Sequence, residues 1–319
     1  MSAFQLWEAR LTAGAALILA MLVFTGCAGG FSARSESARE EELPEVQFQD
    51  EILNILNGEA DSANRFASTV FVSLSPDERC SGVLIHPRLV LTAGHCMCRG
   101  RGSKGSTTLD SSSCEKTAAV MVGKAADDFK AYTGTARLHP DFKVVLQKKR
   151  FLLPADAEVD HLVDEDGRRY VLVDVVVTSQ ADLAVIELKQ PVEEQFQPVS
   201  LARSDINLND RVIAAGYGAN AVKNGLVEFS SSKPIRQFGK NSVVKIVGEL
   251  FMLELPGALP LPGDSGGPCF REEAAGMVLV GINSRSTPGR KGAFTSTYRY
   301  LSWLTEELQR AAAQKPSAP

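Results

Sequence analysis

One stretch near the C-terminal end of the chain combines the residue types that nucleophilic catalysis requires. It reads Gly-Asp-Ser-Gly-Gly-Pro from Gly263 to Pro268, so that a single serine, Ser265, stands among three glycines. A serine hydroxyl attacks a carbonyl group only if a base takes its proton and N–H groups stabilise the oxyanion that forms. Glycines let the backbone bring such N–H groups close to another molecule. The same residue types also favour an ordinary turn, so a nucleophile is indicated only if the chain supplies a base and an acid.

His95 is the histidine best suited to act as the base. The chain has four histidines, His86, His95, His139 and His161. His95 follows the apolar run Leu89–Thr92 and directly precedes Cys96, so a strand end locked by a disulfide would hold its ring in place. Two of the others precede a proline and the third lies in a charged segment, which indicates structural or solvated residues. An ordinary core or loop histidine is the alternative interpretation of His95.

Asp182 is the candidate for the acid that orients this histidine. It opens the apolar run Leu183–Leu188, and a carboxylate beside such a run is partly buried and needs a partner. A simple aspartate at a strand edge or turn is the alternative. Taken together the roles fit: Ser265 attacks, His95 accepts its proton and later donates it, and Asp182 holds the imidazole and stabilises its charged form.

The segments that must position these residues predict an all-β fold. From Thr69 onward, short runs rich in β-branched and apolar residues alternate with turns that contain glycine and proline, as in a sandwich or barrel. One convincing helix is predicted near the C-terminus, where Tyr300, Leu304 and Leu308 contribute to an apolar stripe. Residues 99–113 and 143–169 are rich in small polar or charged residues and are predicted to be surface insertions.

In the order His95, Asp182, Ser265, and in the residues around them, the chain resembles the trypsin/chymotrypsin-like serine proteases. The similar segments are Ile55–Glu59, Cys80–Ile85, Thr92–Cys96, Ala215–Gly218, Gly281–Ser284, Gly292–Thr295 and Tyr300–Leu304. The resemblance implies two six-stranded antiparallel β-barrels with a C-terminal helix, and an active site in the cleft between the barrels. It also implies a protein or peptide substrate that is cleaved through an acyl-enzyme, without a cofactor or a metal. A catalytically weak member of the fold that serves as a binding module is the alternative.

The resemblance also assigns an oxyanion hole and an activation step. The backbone N–H groups of Gly263 and Ser265 would bind the oxyanion. An activating protease would cleave a zymogen between Asn54 and Ile55, and the new amine of Ile55 would pair with Asp264. Many zymogens of the family have Arg or Lys before the cleaved bond, so Asn54 predicts an activating protease that is not trypsin-like.

The substrate-binding residues implied by the resemblance are Leu259, Ser284, Ser286 and Gly292. Leu259 falls at the base of the primary pocket, where trypsin-like enzymes carry Asp, so we expect an apolar or small substrate side chain rather than Arg or Lys. Ser284 lies on the strand expected to bind the substrate backbone and to support Asp182. Arg285, which follows it, stands where the family usually has Trp.

The cysteines predict two disulfides and a free thiol. Setting Cys27 aside leaves an odd number, Cys80, Cys96, Cys98, Cys114 and Cys269, so at least one is unpaired or pairs between molecules. The resemblance implies a Cys80–Cys96 disulfide, and Cys98 with Cys114 would close the loop between them. Cys269 is predicted to be a buried free thiol, because its usual partner strand has no cysteine.

Composition and the N-terminal region limit the possible binding partners and the cellular location of the protein. The 319 residues carry a formal charge of -4, which provides no basic patch for nucleic acid. Residues 1–27 read as an export signal that resembles a bacterial lipoprotein signal, with lipidated Cys27 as a membrane anchor; plain secretion is the alternative. We predict an acidic linker or propeptide over 28–54, the protease domain over 55–314 and a disordered tail over 315–319. The expected location is the bacterial cell envelope or the extracellular space.

Overall fold

The computed structural model describes a chain that is mostly β-structure. The described residues are 52–74, 79–98, 106–152, 162–219, 221–223, 226–228, 234–287 and 291–313. The helices are α1 (Asn54–Asn57) and α2 (Leu301–Ala313). Neither of these described helices is long and apolar enough to span a membrane.

The described residues form twenty-two strands, twelve of them up to residue 188. The first twelve are β1 (Ile52–Leu53), β2 (Glu59–Ala60), β3 (Thr69–Ser73), β4 (Cys80–His86), β5 (Leu89–Thr92), β6 (Ser106–Leu109), β7 (Thr117–Val122), β8 (Lys130–Leu138), β9 (Lys143–Leu152), β10 (Leu162–Val163), β11 (Arg169–Gln180) and β12 (Ala184–Leu188). The others are β13 (Ser200–Leu201), β14 (Arg211–Gly216), β15 (Ala221–Lys223), β16 (Leu226–Glu228), β17 (Gln237–Ser242), β18 (Lys245–Val247), β19 (Leu250–Glu254), β20 (Pro268–Glu273), β21 (Gly276–Thr287) and β22 (Lys291–Ser296).

A closed six-stranded barrel forms the first half of the fold, in the order β12-β5-β4-β3-β7-β8. Strand β7 alternates buried and more exposed residues, as expected where one face meets solvent. Strand β5 is buried at every position, because its outer face is also covered. The hydrophobic cluster of this barrel continues into the second half through side chains such as Ile213, Phe270 and Ile282.

The second half forms a nine-stranded sheet in the order β18-β19-β22-β21-β20-β14-β17-β2, with β13 paired to β21. The predicted fold class is confirmed, but among the described residues these strands do not close a second six-stranded barrel by strand pairing. Asn241 on β17 donates from Nδ2 to the carbonyls of Glu254 (3.0 Å) and Ala258 (2.8 Å). Together with the backbone bond from the Ala258 N–H to the Lys240 carbonyl (2.9 Å), these contacts link β17 to the end of β19 and the segment after it.

The two predicted surface insertions carry strands that pair with each other. Strands β10, β11, β9 and β6 form a four-stranded antiparallel sheet in that order. The sequence predicted surface insertions over 99–113 and 143–169, and the strands β6, β9 and β10 within them were not expected. The charge of these segments suggested loops, whereas buried Leu109 and Val144 pack with Phe142 in a small hydrophobic cluster of their own.

The predicted C-terminal helix is confirmed as α2, and ion pairs attach it to the first barrel. Arg137 on β8 donates from Nε to Glu307 (3.0 Å) and also bonds Glu187 on β12. Glu307 is almost fully buried.

The N-terminal segment is ordered across the predicted boundary at residue 54. Strand β1 pairs with β15, and β2 pairs with β17. Between them, α1 carries Ile55, whose side chain is buried. This arrangement belongs to the intact chain.

Candidate active site

Strand pairing brings His95 and Asp182 together. Strands β5 and β12 are antiparallel neighbours, and Ala184 lies opposite Thr92. His95 lies in the 3₁₀ turn that follows the end of β5, and Asp182 lies just before the start of β12. The end of one strand and the start of the next therefore meet at the same edge of the barrel.

Asp182 accepts three hydrogen bonds in a fully buried position. Its Oδ2 lies 2.8 Å from Nδ1 of His95, and its Oδ1 accepts the backbone N–H of His95 at 2.8 Å. The Ser284 hydroxyl donates to Oδ2 at 2.6 Å. A carboxylate bonded to Nδ1 favours the tautomer with the proton on that nitrogen, which leaves Nε2 as the proton acceptor.

The charges of this pair shift both pKa values. Burial lowers the pKa of His95, but the charge and hydrogen bond of Asp182 outweigh it and raise the pKa above its ordinary value. Burial raises the pKa of Asp182, but the charge of His95 and the hydrogen bonds from His95 and Ser284 outweigh it and lower the pKa. Asp182 therefore stays ionised where His95 titrates.

Two disulfides lie beside the histidine. Cys80 is bonded to Cys96 and Cys98 to Cys114, as predicted, and Cys269 is free and buried. The sulfur of Cys96 is 3.9 Å from Nε2 of His95 and 3.5 Å from the carbonyl oxygen of Ser265. Cys80, His95 and Cys96 are close enough to suggest a metal site, but the two sulfurs are bonded to each other.

The loop that carries Ser265 is held by β4 and β21. The N–H of Ser81 donates to the carbonyl of Ser265 (2.7 Å), and its hydroxyl donates to the carbonyl of Gly263 (3.0 Å). Gly266 has a φ of 79°, and a side chain there would meet Thr92 Oγ1 at 2.1 Å. Only glycine fits this turn.

The Ser265 hydroxyl makes no hydrogen bond with His95 Nε2 among the described residues. Catalytic hydrogen bonds are often long in the free protein and tighten when substrate binds. The serine and the histidine are nonetheless neighbours through the Cys96 sulfur that touches both.

Asp264 is a buried carboxylate whose hydrogen bonds, among the residues that the structure describes, come from backbone N–H groups. Its Oδ1 accepts from Gly218 (2.8 Å) and its Oδ2 from Leu261 (2.9 Å). Burial raises the pKa of Asp264 to about 7, and these two hydrogen bonds offset only part of that effect. In the intact chain the N–H of Ile55 donates instead to Gln237 Oε1 at 2.9 Å.

The predicted substrate-binding residues lie on and around β21 and β22. Leu259 is fully buried in a hydrophobic cluster of the second half. Ser286 is partly exposed and pairs with Gly292 across the two strands. A side chain at Gly292 would meet Pro260 at 2.6 Å. Ser284 is fully buried against Asp182, and Cys27 lies outside the described residues.

Two contacts at this site were not anticipated from the sequence. Glu249 Oε1 accepts the N–H of Ala181, and Arg285 Nη1 donates to the carbonyl of Val177. The unusual residue type at position 285 was the one signal that pointed to the second contact. No local pattern marks Glu249.

The family is decided by a match of the chain to the model of the trypsin-like peptidase domain, which covers residues 80–282, more than half of the chain. The chain belongs to the trypsin-like peptidase family. The matched range includes His95, Asp182 and Ser265, and members of the family act on proteins or peptides.

Individual relatives are distant. The chain is 23% identical over 256 residues to the Spaetzle-processing enzyme of Drosophila melanogaster, covering 72% of this chain and 58% of that protein. It is 23% identical over 255 residues to kallikrein 1-related peptidase b1 of Mus musculus, covering 74% of this chain and 81% of that protein. The structure of mouse neuropsin, described as a serine protease, matches with a TM-score of 0.53 at 17% identity, over 79% of this chain and 98% of that one, which supports the fold.

Proposed function

We propose that this protein is a serine endopeptidase that uses Ser265, His95 and Asp182 as its catalytic triad. The observation that supports it best is Asp182, which is fully buried, accepts two hydrogen bonds from His95 and is itself held by a third from Ser284. A fixed imidazole with Nε2 unprotonated, beside a serine flanked by glycines, is suited to acyl transfer.

The reaction follows from these positions. Ser265 Oγ bonds to the carbonyl carbon of the substrate while His95 Nε2 takes its proton. The N–H groups of Gly263 and Ser265 stabilise the oxyanion, each contributing roughly 3 kcal/mol in sites of this kind. His95 then donates the proton to the leaving amine. A water molecule, deprotonated by His95, hydrolyses the acyl-enzyme and restores Ser265.

Activation by cleavage before Ile55 is part of this proposal. Within the described part of the chain, the Asp264 carboxylate is bonded to the neutral N–H groups of Gly218 and Leu261, and burial raises its pKa to about 7. A nearby ammonium group would return it to its ionised form. The amine created at Ile55 would supply that charge, and Asp264 directly precedes Ser265, so the pair would set the oxyanion-hole loop. An activating protease that accepts Asn54 is required.

For specificity we propose an apolar or small side chain in the primary pocket. Leu259 is surrounded by apolar residues, and an Arg or Lys side chain would find no counter-charge there. Ser286 and Gly292 border the pocket, and Ser284 presents its backbone to the substrate.

Export to an oxidising compartment agrees with the two disulfides. We propose that residues 1–27 direct this export and that lipidation of Cys27 anchors the protein to the membrane. If the membrane-bound fraction is the same after Cys27→Ser, the anchor is disproved.

An active-site label tests the enzyme directly. A fluorophosphonate probe should label the processed protein at Ser265, and Ser265→Ala should abolish the label. N-terminal sequencing of the labelled material should begin at Ile55. If correctly processed protein takes no label, the chain is a catalytically weak binding module; labelled protein with a distant N-terminus defeats only the activation step.

A further inference from the structure

Two β-bulges lie beside the catalytic aspartate. In β11 the register with β9 shifts between Val176 and Thr178, so Val177 is the extra residue. In β21 the register with β22 shifts between Asn283 and Arg285, so Ser284 is the extra residue. The extra residue of a bulge is not paired in the hydrogen-bonded ladder, so its side chain and backbone groups point in a new direction. Bulges often occur next to active sites.

Arg285 connects these two bulges. The Ser284 hydroxyl turns to Asp182, and the next side chain, Arg285, donates from Nη1 to the carbonyl of Val177 at 2.7 Å. The guanidinium therefore lies between β11 of the four-stranded sheet and β21, the strand whose Ser284 supports the catalytic acid. Arg285 is joined to His95 through its neighbour Ser284 and through Asp182.

Most of the hydrogen-bonding capacity of Arg285 is unused. A guanidinium has five N–H donors, and among the described residues only the contact with Val177 is made. No carboxylate oxygen of the described residues forms an ion pair with it, although the side chain is only partly exposed. Burial lowers the pKa of Arg285, and the charges of Asp182 and Glu249 offset this only in part. Arginine nevertheless remains charged. Asp182 and Glu249 act on this partly dehydrated cation through their charges, but no carboxylate of the described residues forms a hydrogen-bonded ion pair with it.

We propose that Arg285 binds the carboxylate of an aspartate or glutamate side chain close to the scissile bond, which makes acidic peptides the preferred substrate class. A guanidinium and a carboxylate form paired hydrogen bonds of matching geometry, and partial burial strengthens such a contact. The inference rests on the proposed peptidase activity and adds a second specificity element to the primary pocket.

Matched peptides test this preference. Each pair differs only by Glu or Gln at one position within four residues of the scissile bond. At one position the wild-type protein should show a kcat/KM ratio of Glu to Gln of roughly 10 to 100, as expected for a charge-assisted bond. Arg285→Gln should bring the ratio close to one, mainly by slowing the Glu peptide, and Arg285→Lys should retain part of it. Arg203→Gln, which removes an exposed arginine, should keep the wild-type ratio.

The preference is overturned if the wild-type ratio is near one at every position, or if Arg285→Gln slows the Glu and Gln peptides equally. The second result would mean that Arg285 only supports the fold of the site. Fluorophosphonate labelling separates this failure from failure of the peptidase proposal. If no label is taken, binding of the same peptides to Ser265→Ala decides: the Glu peptide must bind at least tenfold more tightly, and Arg285→Gln must remove the difference.

Discussion

Glu249 accepts a 2.8 Å hydrogen bond from the backbone N–H of Ala181, the residue that precedes Asp182. Ala181 is fully buried and has a φ of 45°, a left-handed conformation that costs a non-glycine residue free energy. The contact therefore holds the turn that delivers Asp182 to His95.

Glu249→Ala should lower kcat by roughly 10- to 100-fold with a smaller change in KM, because misplacing Asp182 harms the reaction more than substrate binding. Glu249→Gln retains an acceptor oxygen and should recover most of the activity. Glu272→Ala removes an exposed glutamate and serves as the control. Steady-state kinetics and thermal melting separate this role from general destabilisation. Equal losses for Ala and Gln, or an effect on KM alone, would contradict it.

Activity should depend on the ionisation of His95. Asp182 raises the pKa of His95 above 6.5, and only the neutral imidazole accepts the serine proton. The value of kcat/KM should therefore rise with pH in a single step whose midpoint lies above 6.5. A midpoint below 6.5 would show that burial outweighs the charge of Asp182 in the processed enzyme.

Asp182→Asn should remove the carboxylate that orients His95 without unfolding the protein. Its amide would place a donor against Nδ1 and favour the wrong tautomer, and in a Ser-His-Asp triad this change lowers kcat by about 10⁴-fold. The kcat of the variant, measured with matched thermal melting curves, checks the expectation. Near-wild-type activity would exclude Asp182 as the orienting acid.

The uncleaved chain should become less stable as pH rises because of Asp264. Burial raises the pKa of Asp264 to about 7 from an unfolded value of 3.8, so the folded state binds the proton more tightly. The contribution of Asp264 to the stability of the folded state is fully present below about pH 4 and is lost as pH rises to about 7. At about 1.4 kcal/mol for each pKa unit, the loss is on the order of 4 kcal/mol at most.

The measurement is urea unfolding of uncleaved Ser265→Ala between pH 4 and 8, with Asp264→Asn in the same background as the reference. The difference in the free energy of unfolding between the two variants should change over this range. After cleavage at Ile55 the pairing with a cation should reduce or reverse the slope. A pH-independent difference in the uncleaved chain would mean that Asp264 is already ionised there.

The sequence was sufficient to predict the parts of the site that lie on strand ends. His95 and Asp182 each adjoin an apolar run, and pairing of those runs as β5 and β12 brings them together. The disulfide partners of Cys80 and Cys98 also followed, the first from the family resemblance and the second from the loop that it closes.

Contacts made by side chains across long separations could not be predicted. Glu249 and Ala181 are 68 residues apart, and nothing in the local pattern of either residue marks the contact. The bulges at Val177 and Ser284 depend on strand register, which is set only when the sheets pack. Strands β6, β9 and β10 were not predicted because charged residues such as Lys148 on β9, which lies opposite Asp174 on β11, resemble loop composition.

A buried ion pair between Arg236 and Asp61 should be essential for stability. Arg236 Nε donates to Asp61 Oδ2 at 2.9 Å, and both side chains are almost fully buried. Arg236 also donates to the carbonyl of Gly123 at 3.1 Å and bonds Asn64, and Asp61 accepts the N–H of Phe66 at 3.0 Å. Removing either partner leaves an uncompensated buried charge.

Arg236→Met should lower the free energy of unfolding by about 3–5 kcal/mol, the usual cost of breaking a buried pair from one side. Asp61→Asn keeps an acceptor for the N–H of Phe66 but leaves the buried charge of Arg236 without its partner. It should therefore lower the free energy of unfolding by a similar amount. Because each single change already breaks the pair, the double variant should lose much less than the sum of the two, as a double-mutant cycle in urea would measure. Exposed Arg65→Met is the matched control and should change stability by less than about 1 kcal/mol. Additive losses in the cycle would show that the two side chains act independently.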